Sequence, residues 1–236
     1  MRILLISIYH HLLAFTRDKQ ALFLNAFFPV MLLIIFSFIW GANNSEHAYF
    51  LLIGIIGMTI LNEGLFSIGP VLKGFYSIKL IQYLKKMPCN PVYYFLGLIT
   101  SRIIVMIIVC CILIIVSHFF GVRMSLFNYI NIFLGVTIGF TIFAFIGLVF
   151  AFSNLGKSLG KNFTNVFQFG VLFVSNTFYS LRDINPDMAK IADFLPLNPV
   201  LDLMRYGQGS IWLIIWLILP ISIYFFLFDR VKYGRV

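Results

Sequence analysis

The sequence predicts an all-α integral membrane protein with six transmembrane helices, preceded by an interfacial helix. Three observations carry that prediction. Of 236 residues, 61% are hydrophobic and 11% are charged, whereas an ordinary soluble domain is about 25% charged. The apolar residues gather into runs close to the ~20 needed to cross a hydrocarbon core in a helix. Lys and Arg sit in short clusters between those runs. A soluble fold of this length could not hide so much apolar surface and stay wettable. Long continuous runs favour helices, because membrane strands alternate over about ten residues.

The chain opens with residues 1–20. Leu4, Ile8, Leu12 and Phe15 recur at helical spacing, opposite Ser7, His10 and Arg17, which suits a helix lying in the membrane interface. His10 and His11 have no third ligand nearby and read as interfacial histidines. Arg17, Asp18 and Lys19 interrupt this start before a long run that lacks a small-residue cleavage site. The first span is therefore expected to act as its own insertion signal. The expected spans are residues 22–40, 49–69, 103–120, 129–152, 163–181 and 211–228. The fifth is diluted by Thr164, Asn165, Gln168, Ser175, Asn176 and Thr177.

Orientation follows from the basic residues, which concentrate on the cytoplasmic side. With the N-terminus inside, only Arg123, Arg182, Lys190 and Arg205 fall outside, while Glu46, Asp183, Asp187, Asp193 and Asp202 lie with them. Both termini are then cytoplasmic, and the chain is expected in a bacterial inner (plasma) membrane. The net charge of +9 reflects these flanking clusters and no folded basic face, so nucleic acid is not an expected partner.

Two connections carry their own structure. In the cytoplasmic loop, residues 76–88 place Tyr76, Leu80, Leu84 and Met87 on one face and Lys79, Gln82 and Lys86 on the other, with Ser77 as a cap and Pro88 and Pro91 as stops. Such a helix either floats on anionic headgroups or docks a cytosolic partner. In the outer segment, residues 184–206, Asn185-Pro186 reads as the cap and start of one short helix, and Asn198-Pro199 as the cap of a second that ends at Gly207. Both are too short and too charged to span, and are expected to dip into the outer leaflet as a re-entrant pair. Arg205 there needs a partner, and Asp202 or Asp193 is expected to supply it.

Chemistry-bearing patterns are few. The run from Ala151 to Ser158 loosely resembles a phosphate loop, but it follows a membrane span and no β-strand. Cys110 and Cys111 are adjacent in an apolar run and Cys89 stands alone, without metal spacing or a disulfide framework. No nucleophile–base or metal-ligand constellation marks an enzyme. Glu63 is the ionisable residue expected inside a span. It either lines a polar pathway, pairs with Lys73 or Arg102, or is solvated near the cytosolic end. A pairing with His118 is disfavoured, because the two are expected at opposite leaflets.

The stretch Asp193-Phe-Leu-Pro196-Leu-Asn198-Pro199-Val-Leu-Asp202-Leu-Met-Arg205 resembles the signature before the last span of type-2 ABC transporter permeases. Residues 185–192 resemble the family's preceding outer helix, Phe15–Leu24 leading to Pro29 its interfacial helix and first span, and Leu80–Pro88 with Tyr94–Gly97 its coupling helix and third-span start. The departure is at Gly74–Lys79, where an acidic-Gly run is common in the family.

The resemblance implies an exporter permease that performs no chemistry itself and binds no cofactor. ATP and Mg would sit on two copies of a cytosolic ABC ATPase, docked through Ser77, Lys79, Leu80, Gln82, Tyr83, Leu84 and Lys86. A second permease copy, an identical one in the simplest case, would complete the pathway. Polar side chains in hydrocarbon face protein or water, so Asn62, Glu63, Asn165, Gln168, Ser175 and Asn176 are the expected pathway residues. Pro196, Asn198, Pro199, Asp202 and Arg205 would form an extracellular gate. An amphipathic or lipidic substrate is expected: a drug, antibiotic peptide, lipid or lipid-linked glycan. The alternatives are an ion-coupled secondary transporter without an ATPase, or a lipid-modifying membrane enzyme.

Overall fold

The computed structural model describes residues 2–41, 45–78, 91–153 and 157–232, and among these every regular element is helical. They are α1 (Arg2–Arg17), α2 (Lys19–Trp40), α3 (Ser45–Ser67), α4 (Gly69–Ser77), α5 (Pro91–Phe119), α6 (Leu126–Phe152), α7 (Lys157–Val174), α8 (Leu181–Ile184), α9 (Pro186–Phe194), α10 (Leu197–Tyr206) and α11 (Ile211–Lys232). Four helical stretches are long and apolar enough to cross a bilayer: Lys19–Trp40, Ser45–Phe75, Tyr93–Phe119 and Leu126–Phe152. Of the other two expected spans, α7 is 18 residues and amphipathic, and α11 is a 22-residue helix whose side chains are described as far as Phe226.

Helix α3 is the axis of the molecule. Its central window is 89% buried, against 17% for α2. Leu52, Ile56, Ile60 and Leu65 are enclosed on every side, as an all-round apolar helix must be. Around it lie Val105, Met106 and Val109 of α5, Val136, Phe140 and Phe143 of α6, and Leu197, Val200 and Leu201 of α10, all in one core. Gly54 lets α3 come so near the carbonyl of Thr177 that any side chain there would overlap it.

Local chemistry explains the breaks and corrects several expected boundaries. Asp18 separates α1 from α2, its Oδ1 accepting from the amides of Gln20 and Ala21 at 3.1 Å each. Ser125 caps α6, and Asn185 caps α9 with Pro186 in the first turn, as the sequence suggested. The second span does not give way to a loop at Gly69: α4 starts there and carries the chain on to Ser77. Helix α5 starts at Pro91, twelve residues before the expected third span. In both places a proline sits in the first turn, where its missing N–H costs nothing.

The fifth helix ends at Val174 and not at residue 181. There Ser175 donates to the carbonyl of Val171, and the amide of Thr177 turns back to Ser175. The inward face of α1 also differs from the expected one. Phe15 is buried and Leu4, Ile8 and Leu12 are half-buried, as expected, but Ser7 and His11 are buried beside them. The cause is a close approach of α1 to α5: Gly97 leaves room for Ser7, whose hydroxyl donates to the carbonyl of Tyr94 at 3.0 Å.

Candidate functional site

Two neighbouring residues of α3 build a polar site at one end of the bundle, the inner end in the expected orientation. The Glu63 side chain is 2% exposed and that of Arg102, on α5, 15%; Nη1 donates to Oε1 at 3.1 Å. A lone carboxylate at this depth would cost several kcal/mol, so burial demands the partner. The Arg102 guanidinium also lies over the ring of Phe15, 5.2 Å from its centroid, a cation–π contact that brings in α1. Of the three sequence readings of Glu63, pairing with Arg102 is the one the structure forms, and simple solvation is excluded by its burial. His118 is elsewhere, against the carbonyl of Ile114 at 2.7 Å and the hydroxyl of Tyr129 at 3.0 Å.

Asn62 turns to the other side of α3. Its Nδ2 donates to Oδ1 of Asn25 on α2 at 3.1 Å, and its Oδ1 accepts from Nε2 of Gln168 on α7 at 3.3 Å. An amide both donates and accepts, so one residue joins three helices. A cleft of about 340 Å³ opens beside these groups, lined by Asp18, Asn25, Asn62, Glu63 and Arg102 among others. Asn165 lies half-buried one turn before Gln168.

A second polar cluster holds the opposite end of the bundle, the outer end in the expected orientation. Asn198, fully buried on α10, does not cap its own helix. Its Oδ1 accepts from the amide of Asn176 at 2.8 Å, and Oδ1 of Asn176 accepts from the amide of Leu181 at 3.0 Å. Arg205 finds carbonyls where carboxylates were expected. Its Nη2 donates to Phe50 at 3.1 Å and to Thr177 at 3.4 Å, and its guanidinium lies 3.5 Å from the Phe50 ring centroid. Asp202 adds its charge from one turn back. Pro196 stands just before α10 and Pro199 in its first turn. Gly207 ends α10 in the left-handed conformation, φ +68°, a position that suits glycine.

The structure thus unites Asn62 with Gln168, and Asn176 with Asn198, while Ser175 bonds within its own turn, and it splits the expected pathway set between two clusters. Ser77 closes α4, its hydroxyl donating to the carbonyl of Gly74 at 2.7 Å. Lys79, Leu80, Gln82, Tyr83, Leu84 and Lys86 lie outside the described residues. Sequence reasoning missed Asn25 and Phe15 as parts of the inner site. Asn25 carried a signal, being an amide within an expected span.

No curated protein matches the chain. The family model of the ABC-2 type transporter matches residues 4–209, from the first turn of α1 to the loop after α10. That match takes in both polar clusters, and the chain belongs to the ABC-2 type transporter family as a membrane subunit.

Proposed function

We propose that this permease component exports an amphipathic or lipidic substrate by alternating access, driven by a separate cytosolic ATPase. The observation that carries the reading is the side-chain network around Asn62 and Glu63. It links α2, α3, α5 and α7 through contacts that can be exchanged without unfolding a helix. A pathway through hydrocarbon needs such groups on moving helices, where water or a polar part of the substrate can replace a protein partner.

The assembly takes the form the family suggests: six spans with both termini cytoplasmic in a bacterial inner membrane. A second permease copy covers the large apolar side chains of α2, among them Phe27, Phe38 and Trp40, that are exposed in the single chain. Two ATPase subunits, holding ATP and Mg, dock at the segment that follows Ser77. The outer cluster around Asn198 and Arg205 is the fixed end against which the inner ends of the helices move.

The test is purification of the tagged full-length chain from native membranes in mild detergent, assayed for a co-purifying ATPase. A stoichiometric ATPase that is lost when Leu80→Asp and Leu84→Asp are combined supports the reading. A chain that purifies alone and still moves substrate down an ion gradient overturns it in favour of a secondary carrier.

A further inference from the structure

We infer that the lysine-rich end of the bundle holds a site for one anionic phospholipid, distinct from the Glu63 cleft. A cavity of about 530 Å³ opens between the ends of α3 and α6 and the helices α4 and α7. Its walls are apolar, with Leu65, Phe66, Phe150 and Ala151 facing the space. Lys73 of α4 and Lys161 of α7 line it from opposite elements. No carboxylate lines it among the described residues.

Charge complementarity selects the occupant. Two ammonium groups beside one apolar space repel each other and call for an anion. A free phosphate would satisfy the lysines and leave the aromatic walls to water. A neutral lipid would fill the walls and leave the charges unanswered. A phospholipid with a net negative headgroup meets both demands, and basic pockets between membrane helices bind such headgroups. The long lysine stems lie along apolar surface and carry their charge toward the headgroup level. Because α4 leads directly into residues 79–90, the lipid would brace the helix that feeds the cytoplasmic loop.

The experiment uses the purified full chain in detergent and reads its thermal unfolding midpoint during titration with dioleoyl phosphatidylglycerol. Parallel titrations use dioleoyl phosphatidylcholine and glycerol 3-phosphate. The expected result is a saturable rise with phosphatidylglycerol alone. The half-saturating concentration should increase about fivefold for Lys73→Gln or Lys161→Gln, and further for both, as ~1 kcal/mol per basic residue near a membrane surface implies. Lys19→Gln, which removes a lysine away from the cavity, should leave the titration unchanged.

Equal titration of the double variant and the unaltered chain would overturn the site. So would an equal response to phosphatidylcholine, or a response to glycerol 3-phosphate alone. Should the double variant fail to fold, Ala151→Phe decides, since it fills the apolar wall and keeps both lysines. Weakened binding supports the site and unchanged binding overturns it. None of these outcomes depends on an ATPase or on transport, so the proposed function can fail while this site stands.

Discussion

The two polar clusters differ in what they hold. At the outer end, the side chains of Asn198, Asn176 and Arg205 bind backbone groups. At the inner site, Glu63, Arg102, Asn25, Asn62 and Gln168 bind one another. A backbone group freed by ending a helix is fixed in place and needs its partner at all times. A side-chain pair can be replaced as a pair, or traded for water, with every helix left whole. The outer cluster therefore reads as architecture, and the inner one as the part of the bundle able to change partners.

The sharpest way to test that contrast is to remove one member of the ion pair. Arg102→Leu leaves the Glu63 carboxylate without its partner in the core, and should cost about 3–5 kcal/mol of stability. The double variant Glu63→Leu with Arg102→Leu should recover most of that loss, because apolar replacement of a whole buried pair is often neutral. Thermal unfolding in detergent measures both. On the proposed export function, substrate efflux should be abolished in both variants, which separates what the pair does for transport from what it does for the fold. A double variant as unstable as Arg102→Leu would place the pair with the architecture and erase the contrast.

The outer cluster should behave in the opposite way. Asn198→Leu leaves the amide of Asn176 buried without an acceptor, at a cost of about 1–3 kcal/mol. No second side-chain change should restore it, because the orphaned donor belongs to the backbone. Adding Asn176→Ala should lower the unfolding midpoint again, since the amide of Leu181 then loses its acceptor as well. Recovery in that double variant would show the two asparagines to be an exchangeable pair like the inner one.

This difference also marks what could be read from the residues. The elements around Pro196, Asn198 and Arg205 stand out in sequence because prolines and caps are local chemistry. The hydrogen-bond partners of Arg205 do not stand out: Asp202 adds its charge, as expected, but the carbonyls of Phe50 and Thr177 come from 155 and 28 residues away. Asn62 and Glu63 were legible as costly groups in a span, but the amide chain from Asn25 to Gln168 depends on how three helices meet. The starts of α4 and α5, beside Pro70 and at Pro91, were missed for a related reason. A proline marks a helix boundary without saying which side of it is helical.

Asn62→Leu should weaken the inner cluster by a smaller amount. It breaks two neutral hydrogen bonds that are partly buried, each worth about 1 kcal/mol net. Asn25 and Gln168 are half-buried, and Asn25 lines the cleft, so the unfolding midpoint should fall less than in Asn198→Leu, which orphans a fully buried amide. Efflux should fall more. A variant with unchanged transport would remove the amide chain from the pathway and leave Glu63 and Arg102 as its polar part.

The smallest expected effect is a pH dependence from His11 of α1, which lies within reach of the Arg102 charge. Its ring lies 4.9 Å from that of Tyr94 and 6.4 Å from that of Phe75. Burial pushes its pKa below the ordinary value of 6.5, and the charges of Arg102 and His10 push it the same way. A lowered folded-state value means that the unfolded chain takes up the proton first. The stabilisation by neutral His11 is therefore complete above pH 6.5 and is lost as the pH falls below it. Unfolding midpoints compared at pH 8 and pH 5.5 should show a loss of a few degrees that is absent in His11→Phe, which keeps the ring contacts. Because a protonated His11 would stand beside Arg102, the loss should also shrink in the Glu63→Leu, Arg102→Leu double variant. If it persists there in full, desolvation of the imidazole alone sets the shift, and α1 senses pH independently of the ion pair.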